Sequence, residues 1–233
     1  MQAAKTVMQD VSGFDLNCGC PKPFSTHAGM GAALLTNPDL LCSILTALRE
    51  EMPPHITITA KIRLLPSQED TLKLVERIVN TGVHALTVHC RTRNMRERDK
   101  AVIERLREIV DFVEGMGRNI AVIENGDCKD WEDAKRVREI TGAHSVMIAR
   151  GAESNPTCFS PLPLRDVDNT LLPAYLRMVC KFYTGLPASS HIFFVSVSIP
   201  RKSFQPYQIL RQPIQRNPSG SFEDGVSCSP SNY

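Results

Sequence analysis

Short apolar runs alternate with longer amphipathic segments along the first 150 residues, and this alternation limits the folds that the chain can adopt. The runs have the length and composition of buried β-strands, and they occur at Phe14–Leu16, Ile56–Ala60, Ala85–Val88, Ile120–Ile123 and Ser145–Ala149. Strands that alternate with helices at this rhythm predict βα units and a parallel sheet. Because the runs read as apolar on both faces, we expect the sheet to be covered by helices.

The segments between the predicted strands carry apolar residues three or four positions apart, which is typical of one buried helix face. They form four stripes: Leu40, Leu41, Ile44, Leu45 and Leu48; Leu72, Val75, Ile78 and Val79; Ile103, Leu106, Ile109, Val110 and Val113; and Trp131, Ala134, Val137 and Ile140. Helix N-caps are indicated at Asn37, Ser67 and Asp130. Gly82 and Gly142 follow the second and fourth stripes, where a helix C-cap belongs.

The number of βα units leaves two architectures open. A closed (β/α)8 barrel takes eight strands and about 250 residues, whereas the pattern here supplies five units. The sequence therefore predicts an α/β fold, either an open doubly wound sheet or the later part of a TIM-type barrel. We divide the chain into a partial barrel at 1–160, the start of a helical region at 161–185 and a tail at 186–233.

The tail contains ten serines and six prolines. A segment of this composition buries too little apolar surface to offset its ordering entropy, so we expect it to be disordered or not part of the native fold. The alternative is a small packed element around Ile192–Ile199, the β-prone run of the segment.

Composition excludes few functions. A net charge of +2 permits nucleic acid as a partner without requiring it. The first residues lack the basic and apolar regions of a secretory signal, and the longest apolar stretch, Ile192–Ile199, is too short to span a bilayer. The eight cysteines show no disulfide-scaffold spacing. We expect a cytoplasmic or nuclear protein with reduced thiols, without membrane contact and without a stable protein partner.

Polar groups follow all five predicted strands. They are Asn17–Pro21, Lys61–Arg63, His89–Arg91, Asn125–Asp127 and Arg150–Gly151. In parallel α/β sheets and barrels, ligands bind at the carboxyl ends of the strands. The sequence therefore predicts that a thiol, an amine, an imidazole, a carboxamide and several guanidiniums converge on one rim.

Two of these groups indicate particular chemistry. Cys20 lies between glycine and proline just past a strand, where a thiol can serve as a nucleophile or, while it keeps its proton, as a proton donor. No second cysteine pair follows at ligand spacing, so we predict no metal site. Arg150 opens a predicted helix, a setting typical of phosphate binding. In (β/α)8 barrels the phosphate site follows strands seven and eight. If Asn125 and Arg150 mark those two strands, the five predicted strands are strands four to eight of a barrel.

Taken together, these blocks resemble the tRNA-dihydrouridine synthases, a family of flavin-dependent reductases built on a TIM barrel. The segment Asp15–Leu35 is similar to the signature loop of the family, and the later blocks match in order and spacing at Lys61–Arg63, Val88–Arg93, Asn125–Asp127 and Met147–Ala152. Lys22–His27 and Cys90–Met95 are similar to the eukaryotic, particularly fungal, members that modify position 20 of the D-loop.

The resemblance implies FMN as cofactor, NADPH as electron donor and tRNA as partner. Cys20 would give a proton to C5 of the target uracil after hydride passes from reduced FMN to C6. Lys61 would face the N1/O2 edge of the flavin, and His89 would contact the ring or the ribityl chain. The residues implied to hold the ribityl chain and the phosphate are Asn125, Gly126, Asp127, Ala149 and Arg150.

The resemblance also implies a substrate pocket, because chemistry on a stacked base requires the base to be flipped out. Asn17 would line this pocket, and Arg91 and Arg93 belong to a basic run that could contact tRNA phosphates. Cys18 carries no implied role.

Parts of the family pattern have no counterpart in this sequence. These are the first three barrel strands and most of the helical tRNA-binding domain, so we expect the chain to be incomplete at both ends. One alternative is a catalytically inactive fragment or splice product of such an enzyme. A weaker alternative is another FMN-barrel oxidoreductase, such as a dihydroorotate dehydrogenase-like enzyme, against which the cysteine loop argues.

Overall fold

The five predicted strands form one parallel sheet. The computed structural model describes residues 1–183, and its strands are β1 (Gly13–Asn17), β2 (Thr57–Leu64), β3 (Ala85–Thr92), β4 (Ala121–Asn125) and β5 (Ser145–Met147). They lie side by side in chain order, and every pairing is parallel. β2 and β3 run further than the apolar runs indicated, so Lys61 and His89 belong to the strands themselves.

Helices precede, connect and follow the strands. They are α1 (Gln2–Val7), α2 (Pro23–Thr26), α3 (Pro38–Glu51), α4 (Gln68–Asn80), α5 (Glu104–Gly115), α6 (Trp131–Thr141), α7 (Arg150–Ser154) and α8 (Leu172–Tyr183). From α3 to α6, each helix packs against the next one along the chain. A doubly wound sheet reverses its strand order at a switch point, and the described sheet has no reversal. The fold is therefore a run of βα units as in a TIM-type barrel, and the predicted α/β class is confirmed.

The predicted helix boundaries are confirmed by their caps. The side chains of Asn37, Ser67 and Asp130 each accept a hydrogen bond from the backbone N–H three residues later, at 3.0–3.2 Å. These bonds satisfy N–H groups that have no partner inside the helix. At the other end of α6, Gly142 adopts the left-handed conformation, with a φ of 72°.

The two faces of the sheet differ in polarity, so the expectation of apolar residues on both faces was wrong. The face toward the helices is buried and apolar, with Ile58, Ala60, Ile62, Leu86, Val88 and Val122. Alternate residues point the other way, and there the register aligns Lys61 with Thr87. The run Ile56–Ala60 in fact alternates isoleucine with threonine, which is the pattern of a strand with one polar face.

The fourth predicted stripe was also partly wrong. α6 is buried through Val137 and Thr141, whereas Trp131 and Ile140 are 38% and 43% exposed. Residues spaced strictly by three drift by about 60° per step around a helix of 3.6 residues per turn. Trp131 and Ile140 therefore lie on opposite sides of α6, and they cannot share one buried face.

Beyond β5 the chain forms α7, a 3-10 helix at Pro156–Phe159 and a π-helical turn at Val167–Leu171 that leads into α8. α8 falls within the region 161–185 that we predicted to start a helical domain. The predicted tail at 186–233, with its run Ile192–Ile199, lies outside the described residues. Among residues 1–183, no helix is both long enough and apolar enough to cross a membrane.

One buried acid lies in the layer between the sheet and the helices. Glu124 pairs in register with Val88 and is 0% exposed, and neither of its carboxylate oxygens has a hydrogen-bond partner within the described residues. Burial, with a smaller contribution from Asp127, raises the pKa of Glu124 to about 8. Glu124 is therefore protonated at neutral pH.

We expect Glu124→Gln to stabilise the protein increasingly as the pH rises from 5 to 8. Glu124 loses its proton at about pH 4.5 in the unfolded chain and at about 8 in the folded one. Folding therefore takes up a proton across this window, and the free energy of unfolding falls as the pH rises. Glutamine has the same shape and carries no such proton, so the gain should reach about 1–3 kcal/mol at pH 8.

Urea unfolding of wild type and variant at pH 5, 6.5 and 8 measures this difference. Glu114→Gln on the exposed side of α5 is the matched control, and its difference from wild type should not vary with pH. A Glu124→Gln difference that stays constant from pH 5 to 8 would contradict the assignment of a buried proton.

Candidate active site

The strand register brings polar side chains from neighbouring strands to one rim. Asn17 pairs with Lys61 across β1 and β2, and Arg63 pairs with His89 across β2 and β3. His89 in turn pairs with Asn125 across β3 and β4. Within each strand these residues are separated by an even number of positions, so they share the face that points away from the helices. The polar residues predicted from separate strand ends therefore lie side by side on one face of the sheet, near the carboxyl ends of its strands.

Cys20 lies in a compact loop that follows β1. The Oδ1 atom of Asn17 accepts hydrogen bonds from the backbone N–H groups of Gly19 at 3.0 Å and Cys20 at 3.1 Å. The carbonyl oxygen of Cys20 accepts from Ala32 N–H at 2.9 Å. Gly31 has a φ of 59°, and a Cβ atom there would lie 2.6 Å from the Cys20 oxygen, so the loop closes only with glycine. The half-buried thiol of Cys20 is thus carried on an ordered backbone.

The neighbouring cysteines are less suited to proton transfer. Burial, together with Asp15 and Cys42, raises the pKa of the fully buried Cys18 to about 12. Burial and the nearby Glu124 likewise raise the pKa of Cys90. Within residues 1–183, no group of three or more His, Cys, Asp and Glu side chains could hold a metal ion.

Arg63 connects the cysteine loop to the end of β3. Its Nε donates to the carbonyl oxygen of Gly19 at 2.7 Å, and its Nη1 donates to that of Thr92 at 3.0 Å. The side chain is 8% exposed, so both bonds lie in a largely dry environment. Our sequence reasoning gave Arg63 no role of its own. Its spacing of two from Lys61 was the available signal, because that spacing puts both cations on one strand face.

Lys61 and His89 lie in a field of positive charge. Burial and the neighbouring Arg63 lower the pKa of Lys61, with Asp15 acting in the opposite direction. Burial, then Arg63, Lys61 and Arg91, lower the pKa of His89 to about 3. His89 is therefore neutral at physiological pH, while the rim around it keeps its cations.

The neutral His89 has a defined tautomer. Its Nε2 lies 3.3 Å from Nη1 of Arg91. A guanidinium can only donate, so Nε2 is the acceptor and the proton lies on Nδ1. His89 can therefore present an N–H donor to a ligand.

Asp127 holds two arginines at the end of β4. Its Oδ1 accepts from Nη2 of Arg91 and from Nη2 of Arg150, both at 2.5 Å, and its Oδ2 accepts from Ala101 N–H at 2.8 Å. Burial alone would raise the pKa of Asp127, but the bonds from Arg91 and Ala101 and the charge of Arg150 lower it. Asp127 also has a φ of 63°, a conformation that few residues other than glycine, asparagine and aspartate adopt.

A cavity of about 530 Å³ opens beside this carboxylate. All the residues that the sequence assigned to ribityl and phosphate line it: Asn125, Gly126, Asp127, Ala149 and Arg150. His89 and Lys129 line it too, whereas Lys61 and Cys20 do not. Gly151 closes one side, and a Cβ atom there would collide with the carbonyl oxygen of Lys129. This cradle has the size of an ordinary small-molecule site.

The two arginines predicted for the substrate pocket lie in different environments. Arg91 is 4% exposed, and its Nε donates to the carbonyl oxygen of Asp99 at 2.6 Å, which ties down the basic loop at 93–100. Arg93 is exposed at the start of that loop, together with Arg96, Arg98 and Lys100. The structure therefore gives Arg91 a buried, bonded position and leaves Arg93 facing solvent.

We expect Asp127→Asn to destabilise the protein by about 2–3 kcal/mol. Asparagine tolerates the left-handed backbone, so the main change is the loss of the charge that Arg91 and Arg150 share. Breaking a buried ion pair costs about 3–5 kcal/mol, and the lower value applies because the Asp127 side chain is 33% exposed.

Urea unfolding at pH 7 measures this loss. The control is Arg136→Ala, which removes the surface pair with Asp133 on α6 and should change stability by about 0.5 kcal/mol or less. Equal stability of Asp127→Asn and wild type would show that the two arginines do not depend on this carboxylate.

Comparison with known proteins agrees with this geometry. The family model described as "Dihydrouridine synthase (Dus)" matches residues 1–180. The chain is 54% identical over 163 residues to a tRNA-dihydrouridine(20) synthase (NAD(P)+) of Schizosaccharomyces pombe, covering 68% of this chain and 33% of that protein. It is 43% identical over 163 residues to the protein of that name in Saccharomyces cerevisiae, covering 68% and 42%.

A third relative comes from bacteria. The chain is 36% identical over 155 residues to the tRNA-dihydrouridine(16) synthase of Escherichia coli strain K12, covering 66% of this chain and 48% of that protein. The chain thus spans less than half the length of each of these three relatives. The family match extends over the sheet, the cysteine loop and the cavity, and the chain belongs to the dihydrouridine synthase family.

Proposed function

We propose that this protein reduces uridine to 5,6-dihydrouridine in the D-loop of tRNA, with FMN as cofactor and NADPH as electron donor. The observation that carries the proposal is the shared rim: a half-buried thiol at Cys20, the cations Lys61 and Arg63, and a cavity at Arg150 all lie at the carboxyl ends of the strands of one parallel sheet. The names of the relatives mention tRNA and NAD(P)+, which supports these classes of substrate and electron donor.

The residues around the cavity suit the ribityl phosphate of FMN. Arg150 keeps 56% of its side chain exposed while Asp127 holds one of its nitrogens, so its other N–H groups can meet a phosphate. The Nδ2 of Asn125 donates to the carbonyl oxygen of Met147 at 3.0 Å, which orients its Oδ1 to accept from a ribityl hydroxyl. Gly126 and Ala149 add backbone to the same wall.

The residues on β2 and β3 suit the ring of the cofactor. Lys61 is desolvated and lies next to Arg63, so an electron-rich edge such as the flavin N1/O2 edge would be stabilised there. His89 is neutral and carries its proton on Nδ1, so it can donate to the ring or to the ribityl chain without adding charge.

Cys20 supplies the acid of the reaction. Reduced FMN, when bound, would supply the hydride for C6 of the uracil. The Cys20 thiol then gives its proton to C5. Beforehand, the loop is held in place by the hydrogen bonds that the Cys20 N–H donates to Asn17 Oδ1 and that the Ala32 N–H donates to the Cys20 carbonyl oxygen. The Nδ2 group of Asn17 remains available to the flipped base, because its Oδ1 serves the loop.

The basic loop at 93–100 suits the backbone of tRNA. Arg93 and its exposed neighbours Arg96, Arg98 and Lys100 can neutralise phosphates, which is the main source of nucleic-acid affinity. Arg91 would serve the substrate indirectly, since its bond to the carbonyl oxygen of Asp99 fixes the course of this loop.

We expect Cys20→Ala to retain FMN and to lose nearly all dihydrouridine formation, because the variant lacks the proton donor for C5. A well-placed general acid contributes about 100- to 10,000-fold to a rate. Single-turnover reduction of a tRNA transcript, followed by mass spectrometry of the nucleosides, measures the loss.

Cys18→Ala is the matched control, because Cys18 lies two residues away with a buried thiol that donates to the carbonyl oxygen of Leu16. This control should turn over at close to the wild-type rate. Wild-type turnover by Cys20→Ala would exclude the thiol as the acid.

We expect Arg150→Ala to weaken FMN binding by about 1.5–3 kcal/mol, or roughly 10- to 150-fold in Kd, because it removes a charge-assisted contact to the phosphate. Titration of the apoprotein with FMN, followed by flavin fluorescence, gives the Kd.

Arg136→Ala on the surface of α6 removes a charge of the same sign away from the cavity and should leave the Kd unchanged. An unchanged Kd in Arg150→Ala would remove Arg150 from the phosphate site.

A further inference from the structure

Phe24 is an exposed aromatic residue on the loop that carries Cys20. It is 76% exposed, the highest value among the large hydrophobic side chains of residues 1–183. It lies on the short helix α2, four residues after Cys20. A fully burying contact with Phe stabilises by about 1.5–3 kcal/mol, so its exposure leaves a large interaction unused.

The exposure does not come from a loose backbone. Pro21 and Pro23 fix their own φ angles on either side of Lys22. The carbonyl oxygen of Lys22 accepts from the N–H groups of Ser25 and Thr26, both at 3.0 Å. Ser25 itself is 5% exposed and packs into the loop. The buried Ser25 on one side and the two prolines on the other therefore hold Phe24 toward solvent.

A second exposed apolar side chain belongs to the same loop. The backbone N–H of Met30 donates to the carbonyl oxygen of Ser25 at 2.9 Å, and Met30 is 53% exposed. Gly29 and Gly31, with φ angles of 73° and 59°, flank Met30 in the turn that follows α2. The loop thus exposes two large apolar side chains, Phe24 and Met30.

The loop that carries Phe24 has one basic residue and no acidic residue. Lys22 is exposed two residues before Phe24, and the chain contains no Asp or Glu between Asp15 and Asp39. An exposed aromatic ring near a lysine suits a ligand with a flat π-face and a negatively charged backbone.

We propose that Phe24, supported by Met30 and Lys22, is a stacking platform for an unpaired base of the tRNA that neighbours the target uridine. This inference rests on the proposed function, since it places the platform beside the thiol that would meet the flipped base. RNA is favoured over a protein segment because the loop combines an exposed ring with the exposed Lys22 and has no acidic residue between Asp15 and Asp39. Unpaired D-loop bases expose the faces that such a ring can cover.

The role of Phe24 is in binding and positioning, not in chemistry. Stacking tolerates any base, because every base has a π-face. Loss of the ring should therefore raise the KM for tRNA while leaving kcat at saturating tRNA nearly unchanged. FMN binding should not change, because Phe24 does not line the cavity that holds Arg150.

The test uses the complete enzyme with the variants Phe24→Ala, Phe24→Leu and Phe24→Tyr. We expect Ala and Leu to raise the KM for a tRNA transcript by about 5- to 150-fold, the range of a lost stacking contact, and Tyr to stay near wild type. FMN content and Tm are measured on each variant to establish that folding is intact. Phe159→Ala removes a ring that is 54% exposed at the 3-10 helix Pro156–Phe159, and it should leave the KM unchanged.

Leucine separates stacking from simple apolar packing. A wild-type KM in Phe24→Leu would overturn the proposal, because it would mean that Phe24 packs against a protein segment that accepts any apolar side chain. A wild-type KM in Phe24→Ala would overturn it as well.

A binding readout separates this inference from the proposed function. The sequence contains a single tryptophan, Trp131, so the added signal of Phe24→Trp can be read as a difference from wild type. Quenching of that signal by tRNA supports the platform even if the enzyme forms no dihydrouridine, a result that would contradict only the proposed reaction. No quenching at tRNA concentrations that saturate the protein would overturn the platform even if the enzyme is active.

Discussion

The rim of this sheet gathers more positive charge than its negative groups balance, and the carboxylate of Asp127 makes the arrangement stable. Arg91 and Arg150 approach the same Oδ1 atom, at 2.5 Å each. Two guanidiniums at such a separation repel each other strongly in a medium of low dielectric. Asp127 removes this repulsion, and the left-handed backbone that it adopts after Gly126 puts its side chain where both can reach it. Asp127 thereby orients Arg150 at the cavity and holds Arg91, whose Nε in turn donates to the carbonyl oxygen of Asp99 in the basic loop.

Most of the fold follows from local signals in the sequence. The caps at Asn37, Ser67 and Asp130 and the apolar stripes of α4 and α5 are local patterns, and each predicted its element correctly. The errors in the predicted fold arose where one sequence pattern is compatible with two structures. Strict spacing by three on α6 was taken for a buried face, although such spacing turns around the helix. Threonines within the strand runs were taken as part of an apolar strand, although they mark its polar face.

The sequence predicted which residues belong to the candidate site, but not which hydrogen bonds join them. Residues at strand ends can be named from the sequence because parallel strands all end on one side of the sheet. The bond from Arg63 to Gly19 and the bonds from Arg91 and Arg150 to Asp127 join positions 23 to 44 residues apart. Such partners follow from the register between strands, which a single sequence does not specify. For this reason the sequence did not show that the guanidinium of Arg91 is bonded to Asp127.

Arg63 has a mechanical consequence. It bonds to the cysteine loop through Gly19 and to the end of β3 through Thr92, and Thr92 directly precedes Arg93 of the basic loop. One side chain thus spans the two segments, so neither can shift without straining a bond on the other. A polyanion that orders the basic loop would then also order the thiol loop. By thermodynamic reciprocity, a ligand bound at the thiol would increase the affinity for the polyanion. Affinity for the polyanion and alignment of the thiol would then both depend on how far the two loops are ordered.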